Sequence, residues 1–168
     1  MALFGLPRTG KSTLAKRMAS WHVVDSDKAI AAWRNTSIAS LILEEGISAF
    51  RDVEKQWLEA VAIPEKSEHT RYLLSTGGGM PCNEQALRLL QEHFHTVYLR
   101  IPRATWLQRM HDPHQPPHTL SNHYNKKQLE SLFDEREPFY TRAHQILEVG
   151  STVSQDARAL AKLLDNSF

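Results

Sequence analysis

Cysteine is almost missing from this chain: its 168 residues include one, Cys82. No internal disulfide can form, and a reducing compartment is the expected environment. Long apolar runs are missing as well, and none approaches the roughly 20 residues that a membrane-spanning helix requires. Met1 to Leu6 is too short for the apolar core of a signal peptide, so the cytoplasm is the expected address. An excess of either charge is missing: the formal net charge is +1 with histidine neutral, which removes the broad basic field of a nucleic-acid binder and leaves any positive site local. The four tryptophans are scattered and suit packing better than a platform for stacked bases. No internal repeat is visible. Apolar residues at 41% and charged residues at 23% fit one soluble domain with one core.

Strand and helix patterns alternate along the chain. Ala2-Leu3-Phe4, His22 to Asp25, Tyr72 to Thr76, His95 to Arg100 and Ile146 to Val149 read as five strands. Helical spacing covers Lys11–Ser20, Lys28–Trp33, Ile38–Leu43, Ser48–Ala62, Asn83–Glu92, Thr105–Met110, Lys126–His144 and Gln155–Leu164. Alternation of this kind predicts a three-layer α/β/α sandwich on a five-stranded parallel sheet. Right-handed crossovers then put ligands at the carboxyl ends of the strands. The proline- and histidine-rich stretch from His111 to Asn122 has no periodicity and reads as a loop or lid.

Three polar motifs follow predicted strands. Gly5-Leu6-Pro7-Arg8-Thr9-Gly10-Lys11-Ser12 fits G-x-x-x-x-G-K-[ST]. In such a loop the glycines let backbone N–H groups curl around phosphates, the lysine brings positive charge and the serine hydroxyl serves Mg²⁺. A nucleotide handler follows from this, but not its acceptor. Asp25-Ser26-Asp27 offers two carboxylates, one for the metal shell and one to bind or deprotonate a hydroxyl. The plainer alternative is that Asp27 caps the helix starting at Lys28. Gly77-Gly78-Gly79 offers no side chains to pack, so either something approaches that backbone closely, a ligand ring or phosphate, or the chain makes a tight turn. Arg51 and Glu54 stand three apart on a helix and form either a surface pair or part of a carboxylate clamp.

Taken together, Gly5 to Ser12, Asp25-Ser26-Asp27, Ser37-Ile38, Phe50-Arg51 with Glu54, Thr76 to Gly79 and Glu135 to Tyr140 resemble shikimate kinase in order and spacing, from about Phe4 to Tyr140. The resemblance implies a P-loop kinase fold of the nucleoside-monophosphate-kinase type as one domain over 1–168. Its core would be 1–34, 71–110 and 126–168, with a helical substrate-binding insert at about 35–63 and a lid at about 111–124. It implies phosphorylation of the 3-hydroxyl of shikimate by ATP with Mg²⁺, on the route to chorismate, by a monomer without nucleic-acid or membrane partners. Gly5, Gly10, Lys11, Ser12 and Thr13 would serve ATP, and Arg109 would stack on adenine. Ser12 and Asp25 would hold the metal, and Asp27 would bind the acceptor hydroxyls and act as base. Arg51 and Arg136 would clamp the carboxylate, with Glu54 orienting Arg51, and Gly77, Gly78 and Gly79 would line the ring.

One part departs from the family pattern. The family's lid carries an arginine followed by proline, whereas here the stretch is His111-Asp112-Pro113-His114-Gln115-Pro116-Pro117-His118 and the arginine position falls on Gln115 or a neighbour. Arg8, Lys126 or Lys127 could supply the missing charge. Otherwise the acceptor is another small hydroxylated acid, or the chain binds nucleotide and transfers weakly. The histidines His111, His114, His118 and His123 match no common zinc spacing and read as solvated loop residues.

Overall fold

The computed structural model describes residues 1–69, 71–112 and 124–165. Its centre is a sheet of five parallel strands in the order β2-β3-β1-β4-β5, with β1 at Ala2–Phe4, β2 at His22–Asp25, β3 at Tyr72–Ser75, β4 at Thr96–Arg100 and β5 at Gln145–Glu148. Strand β1 is short, but all three of its residues are fully buried because it lies between β3 and β4 with helices on both faces. From β1 the chain crosses to β2 on one side, and from β3 it crosses to β4 on the other. The switch between β1 and β3 opens a crevice at the carboxyl ends of these strands. Register aligns those ends: Leu3 pairs with Ser75, and Asp25 also pairs with Ser75.

Helices α1 (Lys11–Ala15), α2 (Ser26–Arg34), α3 (Ile38–Trp57) and α4 (Ile63–Glu68) precede β3, with a π-helical turn at Leu58–Ala62 between the last two. A 3₁₀ turn at Met80–Cys82 leads into α5 (Glu84–His93), and α6 (Arg103–Met110), α7 (Lys126–Tyr140) and α8 (Val153–Asp165) complete the chain. Local chemistry explains several boundaries. The Asn83 side chain accepts from the N–H groups of Gln85 and Ala86 and starts α5. Asn125 and Gln128 form a reciprocal capping box at α7. The core is continuous, with Trp57, Trp106, Tyr72, Tyr98 and Tyr140 among its fully buried side chains. No helix among the described residues is long and apolar enough to cross a membrane.

Several boundaries differ from the sequence expectation. The first helix ends at Ala15 instead of Ser20, because Arg17 and Met18 donate to carbonyls three residues back and the chain tightens toward buried Trp21. The last long helix ends at Tyr140, two residues after Pro138, instead of at His144. Helix α4 and the π-helical turn were not predicted. The break expected at Glu45-Gly46 is a kink: Gly46 has φ 85° and interrupts α3. Most of the expected lid, including Gln115, His114, His118 and His123, lies outside the described residues.

Candidate functional site

The carboxyl-end crevice is a cavity of about 630 Å³. Its floor is the loop between β1 and α1. Gly10 sits there at φ 101°, a left-handed conformation that favours glycine, and it is the N-cap residue of α1. Arg8 also takes a left-handed conformation, φ 61°, which costs about 1 kcal/mol for a residue with a Cβ. Its guanidinium donates to the carbonyl of Arg109 at 2.6 Å. In return, Arg109 donates to the carbonyls of Arg8 and Thr9, each at 3.3 Å. Trp106 adds a bond from Nε1 to the Pro7 carbonyl at 2.8 Å. The loop is thus tied to α6 by three side chains: Arg8, which the sequence offered as a source of the missing lid charge, Arg109, and Trp106, which carries no site signal in the sequence.

Lys11 is buried, with its ammonium donating to the carbonyls of Gly5 and Leu6 at 2.7 and 2.8 Å. Burial lowers its pKa from 10.5 to about 8, against the opposing pull of Asp27 and Asp25. Ser12 donates to Asp25 Oδ2 at 2.6 Å, and the Ser75 hydroxyl lies 3.4 Å from that of Ser12. Hydroxyl and carboxylate oxygens in this grouping form a hard-oxygen donor set of the kind Mg²⁺ takes. Thr13 and Gly10 border the same cavity.

The helix cap after β2 is Asp25, which accepts from Lys28 N, and not Asp27. Asp27 is therefore released from capping and lines the cavity, exposed to the open cleft. Desolvation, then the Asp25 charge, raises its pKa, and Lys11 and Arg51 pull it back. Ser26, between the two aspartates, is fully buried and accepts from the Gly77 N–H at 2.7 Å. This bond joins the end of β2 to the glycine turn, and the sequence signalled it only by the position of Ser26 inside the acidic motif.

The three glycines are explained by what lies against them. A Cβ on Gly77 would stand 2.2 Å from Asp27 Oδ1, and one on Gly79 would stand 1.9 Å from Arg51 Nη2. On Gly78 it would press Pro7 at 2.7 Å. The close approach expected from the sequence is thus made by protein groups of the site. Tyr140, buried on α7, donates its hydroxyl to the Gly78 carbonyl and fixes the turn from the other side.

Arg51 and Arg136 both line the cavity. Arg51 donates to Glu54 Oε2. Glu54 is fully buried and its Oε1 has no hydrogen-bond partner. Burial raises the Glu54 pKa from 4.5 to about 7, partly offset by Arg51. The pair is thus not the solvated surface pair that its spacing also allowed. Cys82 is half-buried and its thiol pKa is raised by burial, as suits a packing residue. Of the residues to which the resemblance gives a site role, Gly5 and Arg109 stay off the cavity lining, as do Lys126 and Lys127, offered as replacement charges: Gly5 starts the loop, and Arg109 braces it.

Fold and site define the class: this is a P-loop kinase, with Arg51 and Arg136 lining the same cavity as the phosphate loop. The sequence profile of shikimate kinases matches residues 7–165. A shikimate kinase from Burkholderia thailandensis is 34% identical over 151 residues, covering 87% of this chain and 78% of its own. One from Xylella fastidiosa is 28% identical over 170 residues, 98% of this chain and 90% of its own. Among solved structures, shikimate kinase from Bacteroides thetaiotaomicron shares the fold with a TM-score of 0.81 at 24% identity, covering 98% and 97% of the two chains. That from Aquifex aeolicus gives 0.79 at 25% identity, covering 99% and 96%. The chain belongs to the shikimate kinase family.

Proposed function

We propose that this chain transfers the γ-phosphoryl group of ATP to the 3-hydroxyl of shikimate, giving shikimate 3-phosphate and ADP. The observation that carries this reading is the joint placement of Asp27 and Arg51 against the two ends of one glycine turn, in a cavity that also holds Lys11 and Arg136. The spacing sets a carboxylate-binding group apart from a hydroxyl-binding group on one rigid frame. Shikimate carries both functions.

In this reading the loop N–H groups and Lys11 receive the β- and γ-phosphates. Ser12 and Asp25 hold Mg²⁺, which neutralises phosphate charge when bound. Arg51, oriented by Glu54, and Arg136 bind the acceptor carboxylate. Asp27 orients the hydroxyl and takes its proton as the new P–O bond forms and the bond to ADP breaks. Burial and the Asp25 charge raise its pKa, which makes it a stronger base than a solvated aspartate. Catalysis here rests on positioning and charge. Residues 35–63 act as the acceptor-binding insert. Arg109 stays with the nucleotide end, and the chain works as a cytoplasmic monomer on two soluble metabolites. Coupled ADP release with ATP and Mg²⁺, with and without shikimate, tests the reading. Strong stimulation by shikimate is expected. ATP binding without stimulation would move the assignment to another hydroxy acid, to be found with a panel of such acids.

Gly79→Ala separates the site from the fold. Gly79 has φ −101°, which alanine adopts freely, and the atoms nearest the new Cβ are those of the Arg51 guanidinium. The expected result is a KM for shikimate raised at least tenfold, with a smaller loss of stability because the displaced Arg51 guanidinium also serves buried Glu54. Loss of stability without loss of affinity would show that the glycine serves the turn alone.

The depressed pKa of Lys11 has a consequence for nucleotide binding. Below about pH 8 the ammonium is charged in the free protein. Phosphate favours the charged form, so its pKa rises on binding. Above pH 8, binding therefore takes up a proton, and affinity for ATP falls by up to about tenfold per pH unit. Calorimetry in two buffers of different ionisation enthalpy reads the proton uptake directly. No uptake at pH 9 would contradict the assignment of Lys11 to the phosphates.

A further inference from the structure

A second cluster of metal-binding side chains lies away from the cavity, at the edge of the sheet. His22 is the first residue of edge strand β2, Glu65 lies in the first turn of α4, and His69 immediately follows that helix. One ligand atom from each lies within 4.8 Å of the other two. His22 Nε2 stands 2.9 Å from Glu65 Oε1, and the imidazoles of His22 and His69 lie face to face with centroids 4.0 Å apart. Glu65 and His69 are four residues apart at a helix end, a spacing that puts both on one face.

The carboxylate is held from behind. Strand register sets Tyr72 abreast of His22. Tyr72 is buried and its hydroxyl reaches Glu65 Oε2 at 3.4 Å, leaving Oε1 turned to His22. A donor behind a ligating carboxylate is the arrangement that orients metal ligands. Lys66, between the two α4 ligands in sequence, places its ammonium over the Phe94 ring. His22 and Glu65 also border a groove of about 490 Å³, which Ser12 and Asp25 line as well and which gives an ion a path from solvent.

We propose that His22, Glu65 and His69 bind a borderline divalent cation, Zn²⁺ foremost, that clips α4 to edge strand β2. Two imidazoles and one carboxylate suit Zn²⁺ and its neighbours and leave a position for water. The hard-oxygen pair Ser12 and Asp25 is chemically different, and the clip is independent of phosphoryl transfer. Bound to the folded chain alone, the cation stabilises it by mass action.

Zn²⁺ titration of the full chain by calorimetry, in excess Mg²⁺, tests this. One equivalent is expected to bind and to raise the unfolding temperature. His69→Ala, Glu65→Gln and His22→Ala each abolish that equivalent, and Tyr72→Phe weakens it about tenfold. A variant with His111, His114, His118 and His123 all changed to alanine keeps it. Cobalt should give the intense visible bands of a tetrahedral site in the wild type and not in His69→Ala. His69 is exposed, so that variant is expected to fold even if His22→Ala does not. Zn²⁺ binding unchanged in His69→Ala and Glu65→Gln, or no saturable binding, overturns the proposal. Shikimate-dependent turnover, measured separately, is expected to be the same in His69→Ala as in the wild type.

Discussion

Lys11→Ala is expected to reduce shikimate-dependent turnover by at least about 10³-fold, close to the loss of a preorganised charge that acts on the transferring phosphoryl group. The size of the effect comes from what surrounds the residue. Lys11 is a buried cation whose charge offsets both Asp25 and Asp27. Alanine removes the charge that meets the phosphates and also leaves two carboxylates facing incoming phosphate without it. Desolvation and the Asp25 charge already raise the pKa of Asp27, and losing Lys11 removes a charge that pulls it back and so disfavours the ionised base further. ATP affinity and kcat should therefore fall together. Initial rates and nucleotide binding by calorimetry check this, and near-normal turnover would remove the phosphate loop from the mechanism.

The second large effect concerns the arginines, which should fail in different ways. Arg136→Ala is expected to weaken shikimate binding by about 2–5 kcal/mol, the usual cost of truncating one side of a buried charged contact. Arg51→Ala should cost comparable affinity and also destabilise the fold. Glu54 is fully buried, its Oε1 already has no partner, and Arg51 is the partner of Oε2. Without Arg51 the buried carboxyl loses its compensating charge, a loss worth about 3 kcal/mol in comparable pairs. The pH dependence identifies the cause. The folded pKa of Glu54 is already raised to about 7 from 4.5. An acid with a raised folded pKa favours its neutral form in the native state, so stability falls as pH rises from the unfolded value to the folded one. Removing Arg51 extends that window upward. The variant should be close to wild-type stability near pH 5 and clearly weaker near pH 8. Thermal unfolding across this range checks it, and a loss independent of pH would assign the effect to packing.

Much of the site was legible because its chemistry is local. A loop that wraps phosphate needs small residues at fixed spacing, a lysine and a hydroxyl, so Gly5 to Ser12 could be read from eight consecutive residues. The alternation of strands and helices was legible for the same reason, since each element carries its own periodicity. Boundaries moved where tertiary contacts intervened, as at Ala15 and Tyr140. The aspartates show the limit more sharply. Both readings of Asp25-Ser26-Asp27 were open in the sequence, and the structure divides them: Asp25 caps α2 while also meeting Ser12, and Asp27 turns into the cavity.

The amino-acid sequence by itself determined the phosphate loop, the α/β alternation and the family, because those rest on neighbours along the chain. The strand order 2-3-1-4-5, the approach of Asp27 and Arg51 to the glycine turn, the Ser26–Gly77 bond and the meeting of His22, Glu65 and His69 were decided by tertiary structure alone. Each joins residues far apart in the chain, and such contacts follow from how the layers pack, which no local spacing records.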